Sequence, residues 1–207
     1  MVRRTRDDAV ATRARILDSA QQLMRQRGLH CVTLEDVARA IGMTRGAVYA
    51  HFRSRTALLG ALLSCAEADF SARLAPMVAG LRAGPGALEP ALAALLDGDA
   101  IARHVSLLAA LLQHKCCTEC ELCPLRDRVL AGIDTLRRTL ADLLPEPALA
   151  GLLVAHVWGL LSAHAMQLTP AGLSGAAPVL AALYLGAGMQ HGASFPPANA
   201  ARIRDTP

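Results

Sequence analysis

From Pro147 to Ala201 the chain carries no Asp, Glu, Lys or Arg. A run of that length cannot serve as ordinary water-facing surface, so any fold must cover it on most sides. Lipid or protein could do so. His156, His164, Gln167 and Gln190 interrupt the run, glycines and prolines divide it, and no Lys/Arg cluster marks a flank. A membrane hairpin is therefore the poorer reading. The better one is a pair of buried helices, residues 148–168 and 176–188, covered in part by a second copy of the chain.

The rest of the composition points the same way. Apolar residues make up 53% and charged residues 18%, which excludes a disordered polymer. Aromatics are only 3%, so the core must be built mostly of Leu and Ala, a composition that favours helices over strands. The expected fold class is all-α. No apolar stretch follows the initial Met, so a reducing cytoplasm is the expected setting.

Helical spacing of Ile16, Leu17, Ala20, Leu23 and Met24 predicts a helix over about 8–27, stopped at Gly28. Thr33 and Asp36 resemble a capping box opening a short helix through Val37, Ala38 and Ile41. After a turn at Gly42, Thr44 caps a second short helix that ends near His51. Ser54 caps a longer one carrying Leu58, Leu59, Leu62, Leu63, Ala66 and Phe70. Further helices are expected over 88–96, 100–114 and 124–144.

The charge is divided unevenly. Residues 1–55 hold 11 Lys/Arg against 5 Asp/Glu, and residues 56–207 hold 10 against 12. A basic head on a near-neutral body is an electrostatic footprint for nucleic acid. Two short helices joined at a glycine, the second rich in small residues, make a helix-turn-helix within that head. Thr44 to His51 is the expected recognition helix. Gly46 keeps its surface low, and Arg45 can donate two hydrogen bonds to a guanine edge. Tyr49 and His51 can donate to phosphates, setting register. Thr33 offers a hydroxyl and free N–H groups to a phosphate, while Arg53 and Arg55 extend the cationic rim.

The stretches Thr12-Arg13, Ile16-Leu17-Asp18, Asp36-Val37-Ala38, Thr44-Arg45-Gly46-Ala47-Val48-Tyr49, His51-Phe52 and Ser54-Arg55 resemble the N-terminal signature of the TetR family of bacterial repressors. Met24 in place of an aromatic and Ile41 in place of an alanine are departures away from the DNA-facing positions. The basic opening and His114-Lys115-Cys116 are similar to the family's multidrug-efflux branch. The resemblance implies an all-helical homodimer of about nine helices per subunit. It divides the chain into a DNA-binding domain at 1–55 and an effector-binding and dimerisation domain at 56–207. Its last two helices would form a four-helix dimer bundle. It also implies a pocket in the body whose filling releases double-stranded operator DNA.

Two effector classes compete. An amphipathic organic compound would occupy a pocket near Phe70, Met77, Leu108, Leu111, His156, Trp158 and His164. The low aromatic content argues against flat multi-ring cations. The other class is set by Cys116, Cys117, Cys120 and Cys123, four thiols within eight residues. In a reducing compartment such clusters bind metal or respond to oxidation. On an unbroken helix Cys117, Cys120 and Cys123 would climb about 4.5 Å per step, too far for Cys117 and Cys123 to share one ion. Pro124 disfavours helix at Cys123 and suits the first helical position, so Cys123 reads as an N-cap and the run as a turn. Three or four gathered thiolates suit a zinc or cuprous ion, a metalloid or an oxidant. Cys31 and Cys65 read as small core residues.

The spacing of Cys117, Cys120 and Cys123 also matches part of an iron–sulfur pattern but lacks its following Cys-Pro. A small cytosolic redox or iron–sulfur protein is thus the alternative of another class. Nothing suggests an enzyme: the chain has no glycine-rich phosphate loop, Ser/His/Asp arrangement or paired-carboxylate site.

Overall fold

The first helix, α1 (Arg6–Arg27), begins with Asp7 and Asp8 and ends with Arg25 and Arg27. Those charges complement the helix dipole at both ends. Its apolar stripe of Ile16, Leu17, Ala20, Leu23 and Met24 is buried. Gly28, at φ +83°, turns the chain out of the helix while its N–H bonds to Met24 O at 2.9 Å. A short 3-10 turn, Leu29–Cys31, follows. Leu29 and Val32 fill the core there, leaving Cys31 exposed and Cys65 half-buried. Cys65 packs against the edge of the core, as expected, whereas Cys31 is not the core residue expected of it, because Leu29 and Val32 occupy the interior there.

This computed structural model describes residues 6–96, 99–115, 120–168 and 173–186. Among them there are nine α-helices and no strand. After α1 come α2 (Leu34–Ala40), α3 (Arg45–Tyr49), α4 (Arg55–Ala83), α5 (Leu88–Leu96), α6 (Asp99–Leu112), α7 (Cys123–Ala141), α8 (Leu149–Ala165) and α9 (Ala176–Gly186).

Hydroxyl caps start three of these helices. Thr33 accepts from the Asp36 N–H and completes a reciprocal capping box. Thr44 accepts from the Ala47 N–H at 3.2 Å, and Ser54 from the Ala57 N–H at 3.0 Å. The start of α7 departs from expectation. Leu122, in a helical conformation, is the N-cap, and Cys123 is already inside the helix with Pro124 in its first turn. Proline needs no N–H bond at either of the first helical positions, so the helix begins one residue earlier than Pro124 requires.

At 29 residues, α4 is the longest helix and the shaft between head and body. Two apolar clusters lie along it. The first joins Ile16, Val37, Val48 and Phe52 of the head to Leu58, Leu59, Leu62 and Leu63 of α4, and onward to Leu107, Leu111, Leu122 and Leu125. The second joins Met77 and Leu81 to Leu92, Leu95, Leu153, Leu161, Leu180 and Tyr184. Helices α8 and α9 bury one face each inside the subunit. Their other faces, with Leu152, Val179 and Leu183, are apolar and exposed. No helix among the described residues is long and apolar enough to cross a membrane.

Glycine makes opposite demands at two positions near the turn of the head. Gly42 sits at φ +67°, whereas Gly46 lies within α3, and a Cβ at either would touch nothing within 4 Å. Gly42→Ala should therefore lower unfolding stability by about 1–2 kcal/mol, through backbone conformation alone. Gly46→Ala should raise it by about 0.5–1 kcal/mol. Urea denaturation of the two variants beside the parent checks this; equal shifts of the same sign would contradict it.

Candidate DNA-binding head and effector sites

Val37, Ala38, Val48 and Phe52 are buried between α2 and α3 and fix the angle between them. Helix α3 begins at Arg45 and ends at Tyr49, so Thr44 is its cap and His51 lies beyond its end. Thr44, Arg45, Gly46 and Arg53 are exposed, and Tyr49 and His51 are half-buried. These positions make one edge of the head that a duplex could reach. Arg13 adds a further cation, its guanidinium lying 4.9 Å from the centre of the Phe52 ring.

Glu35 on α2 organises this edge. Its carboxylate accepts from Arg45 Nε at 2.8 Å and from the Tyr49 hydroxyl at 3.3 Å. The Arg45 guanidinium also lies 5.1 Å from the centre of the Tyr49 ring. Glu35 thus holds two expected DNA contacts in place with one side chain. Sequence reasoning does not reach it, because ten residues and a turn separate it from Arg45. Two other expected contacts are spent internally. Arg55 donates to Val32 O at 3.0 Å and to Leu29 O at 2.5 Å, pinning the turn after α1 and withdrawing from the rim. Thr33 donates its hydroxyl to Asp36 Oδ2 at 2.6 Å and its N–H to the same oxygen at 3.1 Å. These bonds hold the Asp36 carboxyl below its usual range. The start of α2 therefore presents a carboxylate where a phosphate was expected.

Between α6 and α7 the chain brings together His114, Cys120 and Cys123. Their donor atoms lie within 4.8 Å of one another, and each residue is half-buried. His114 Nε2 is 2.6 Å from Cys120 Sγ. The Cys123 N–H bonds to Cys120 O at 3.2 Å, closing the turn that returns the second thiol to the first. Cys116 and Cys117 lie outside the described residues. Among the described residues His114, to which the spacing of the cysteines gives no role, is the third candidate donor. Two further contacts tie this junction to the head. The His30 and His114 rings are 6.1 Å apart, and Thr56 donates to Glu121 at 2.7 Å.

The apolar pocket of the body is a cavity of about 440 Å³ between α4, α5, α6, α7 and α8. Phe70, Met77, Leu108 and Trp158 line it, as expected. Leu111, His156 and His164 are not among its lining residues. Leu111 is wholly buried in the head-side core. His156 faces α9, sharing a 2.5 Å hydrogen bond with the Tyr184 hydroxyl. His164 lies half-buried near the end of α8. Glu67 and Arg128 add polarity to the pocket wall and pair at 2.5 Å.

Burial pushes the Cys120 thiol up, but the Leu122 N–H, the His114 imidazole and Cys123 outweigh it and bring it down to about 7. A lowered thiol keeps its thiolate to lower pH, so Cys120 should alkylate ahead of ordinary cysteines. Its iodoacetamide rate should reach half its alkaline plateau near pH 7, against about 8.5 for an unperturbed thiol. Peptide mass mapping across pH reads this directly, and a midpoint at the ordinary value would contradict the geometry.

Residues 16–62 match the family described as bacterial regulatory proteins, tetR family. The chain is 46% identical over 63 residues to the HTH-type transcriptional regulator TtgR of Pseudomonas putida, covering 30% of each protein. It is 31% identical over 117 residues to the HTH-type transcriptional regulator AcrR of Shigella flexneri, covering 56% of this chain and 54% of that protein. These matches span less than two thirds of either relative. Fold similarity runs further. NalD, the secondary repressor of the MexAB-OprM multidrug efflux pump in Pseudomonas aeruginosa, has a TM-score of 0.63 at 23% identity, over 88% of this chain and 98% of that one. The multidrug binding protein EbrR, complexed with malachite green, has 0.62 at 23% identity, over 83% and 96%. The tetR-family signature thus lies across the helix-turn-helix head, where the chain is similar to HTH-type transcriptional regulators, and the fold is shared with NalD and EbrR along most of its length.

Proposed function

We propose that this chain is a cytoplasmic transcriptional repressor that binds double-stranded operator DNA as a homodimer and controls an efflux or resistance gene. The observation that carries the reading is the exposed edge Thr44–Arg45–Gly46 on a buried two-helix core, in a head that matches efflux regulators. Arg45 is 69% exposed and its pair with Glu35 is a surface ion pair. Such pairs are worth at most about 1 kcal/mol, so a base edge or phosphate can take the guanidinium over.

The dimer rests on the outer faces of α8 and α9. Leu152, Val179 and Leu183 are 56%, 68% and 52% exposed. No charged side chain lies among them on either helix. A second copy supplies the missing cover, and a two-fold axis would set the two heads on successive half-sites.

The effector in this reading is a thiophilic metal, a metalloid or an oxidant acting at the cysteine junction. The short contact between His114 and Cys120, beside the head, supports it. A second reading has its own support: the cavity is almost wholly apolar in its lining and suits an amphipathic organic compound. EbrR, which shares the fold, is complexed with malachite green. In that case the cysteines are structural or inert.

Fluorescence anisotropy with the upstream DNA and a scrambled duplex tests the DNA reading. Arg45→Ala should cost about 1–3 kcal/mol and relax one base preference. Equal affinity of the parent for both duplexes at physiological salt would defeat the claim. Operator release by zinc, arsenite or mild peroxide should fail in Cys120→Ser. Release by organic compounds alone, unchanged in that variant, would select the second reading.

For the dimer, Val179→Asp or Leu183→Asp should give a folded monomer in sedimentation. Leu161→Asp and Leu180→Asp place a charge inside the subunit, at 3% and 7% exposure, and should unfold it. A parent that sediments as a monomer would contradict the assembly.

A further inference from the structure

We infer that His114, Cys120 and Cys123 form a mixed nitrogen–sulfur site for one d10 metal cation per subunit, zinc or cuprous ion, at the joint between head and body. The inference rests on the thiol-responsive reading above and narrows it, from thiophiles in general to a cation held by three named donors among the described residues.

Two thiolates and an imidazole are a donor set that borderline and soft cations accept, and that magnesium and calcium do not. The spacing is compatible with one ion. Donors around a tetrahedral zinc lie roughly 3.3–3.8 Å apart, given bonds of about 2.0 and 2.3 Å. Here the three donor atoms all fall within 4.8 Å, and His114 Nε2 and Cys120 Sγ form a close pair at 2.6 Å. A shift of about 1 Å opens the close pair onto a metal held between nitrogen and sulfur.

Local structure prepares each donor. The His114 backbone N–H bonds to Leu111 O at 3.2 Å and fixes the main chain just beyond α6. The Leu122 N–H points at Cys120 Sγ from 3.4 Å, as a donor to a thiolate. Cys123 lies in the first turn of α7, where the helix dipole favours its thiolate. Three donors among the described residues leave one position of a tetrahedral ion for a further ligand. A metalloid such as arsenite, which is satisfied by three thiolates, finds only two among these donors.

The site also has a route to the head. Leu122, between the two thiols, is buried in the cluster that contains Val37 and Val48. Ligation that moves Cys120 and Cys123 therefore moves a core residue of the head's own cluster, and the His114 ring lies 6.1 Å from that of His30.

Full-length protein, stripped with chelator and kept anaerobic, is titrated with cobalt(II) and then zinc(II). One cobalt per subunit should bind, giving tetrahedral d–d absorption and a thiolate-to-cobalt charge-transfer band, both abolished by zinc. Cys120→Ser and Cys123→Ser should each weaken binding at least tenfold and diminish the charge-transfer band. His114→Ala should weaken it at least tenfold while keeping that band. Cys31→Ser, outside the cluster, should bind as the parent does. No charge-transfer band in the parent, or parental affinity in His114→Ala, overturns the site. Metal bound by this ligand set while the operator stays bound upholds the site and defeats the thiol-responsive reading. Release by peroxide with no cation bound does the reverse.

Discussion

Leu58, Leu59, Leu62 and Leu63 occupy two turns of α4 and pack into one continuous cluster with residues of the helix-turn-helix on one side and of α6 and α7 on the other. This packing decides what the molecule can do. Close-packed interiors transmit small displacements because they have no slack to absorb them. A head that shares its core with the first layer of the body cannot keep its position when that layer shifts. Both proposed effector sites touch the layer in question. The cavity is bounded by Leu63 and Leu108, and the cysteine junction holds Leu122. Either ligand would act on the head through the same leucines.

A second connection is polar. His104 is almost wholly buried, yet both ring nitrogens are met: Nδ1 by the Gln21 amide of α1 at 2.8 Å, and Nε2 by the Asp69 carboxylate of α4 at 2.8 Å. The same amide donates to Arg103 O at 3.1 Å. The bonds join α1, α4 and α6 with a fixed geometry that an apolar contact lacks. Buried polar groups satisfied on every side specify one arrangement, and a sliding of α6 breaks them together. Helix movement at this level should therefore be a switch between discrete packings.

What the sequence discloses and what it hides divide along a physical line. The caps at Thr33, Thr44 and Ser54 are legible because capping chemistry is complete within four residues. The exposed edge of Thr44, Arg45 and Gly46 is legible because a capping hydroxyl, a charge and a glycine open a short helix whose core contact, Val48, comes later. Glu35 beside Arg45, and His114 beside Cys120, are contacts made by folding, and no local spacing announces them. The charge-free helices show a third case. Their burial is readable, but which face meets the subunit is not, since no polar residue marks the outside. Leu161 and Leu180 turn inward while Leu152, Val179 and Leu183 turn out, and only the packing distinguishes them. Arg55 shows partners that spacing does not announce, whereas Thr33 bonds within its own capping box. Their chemistry suits a phosphate, and in the fold they also bond to Asp36 and to two backbone carbonyls.

The central claim is that a ligand at the junction of α6 and α7 is felt in the head through a shared core. Hydrogen exchange measured by mass spectrometry, on full-length protein with and without zinc, tests it most directly. Protection should change in peptides covering Leu29 to Leu34 and the first turns of α4, as well as around His114 and Cys123, because these segments pack in one cluster. A change confined to the junction, with the exchange of α1 to α4 untouched, would show that the head does not register the site and would contradict the account.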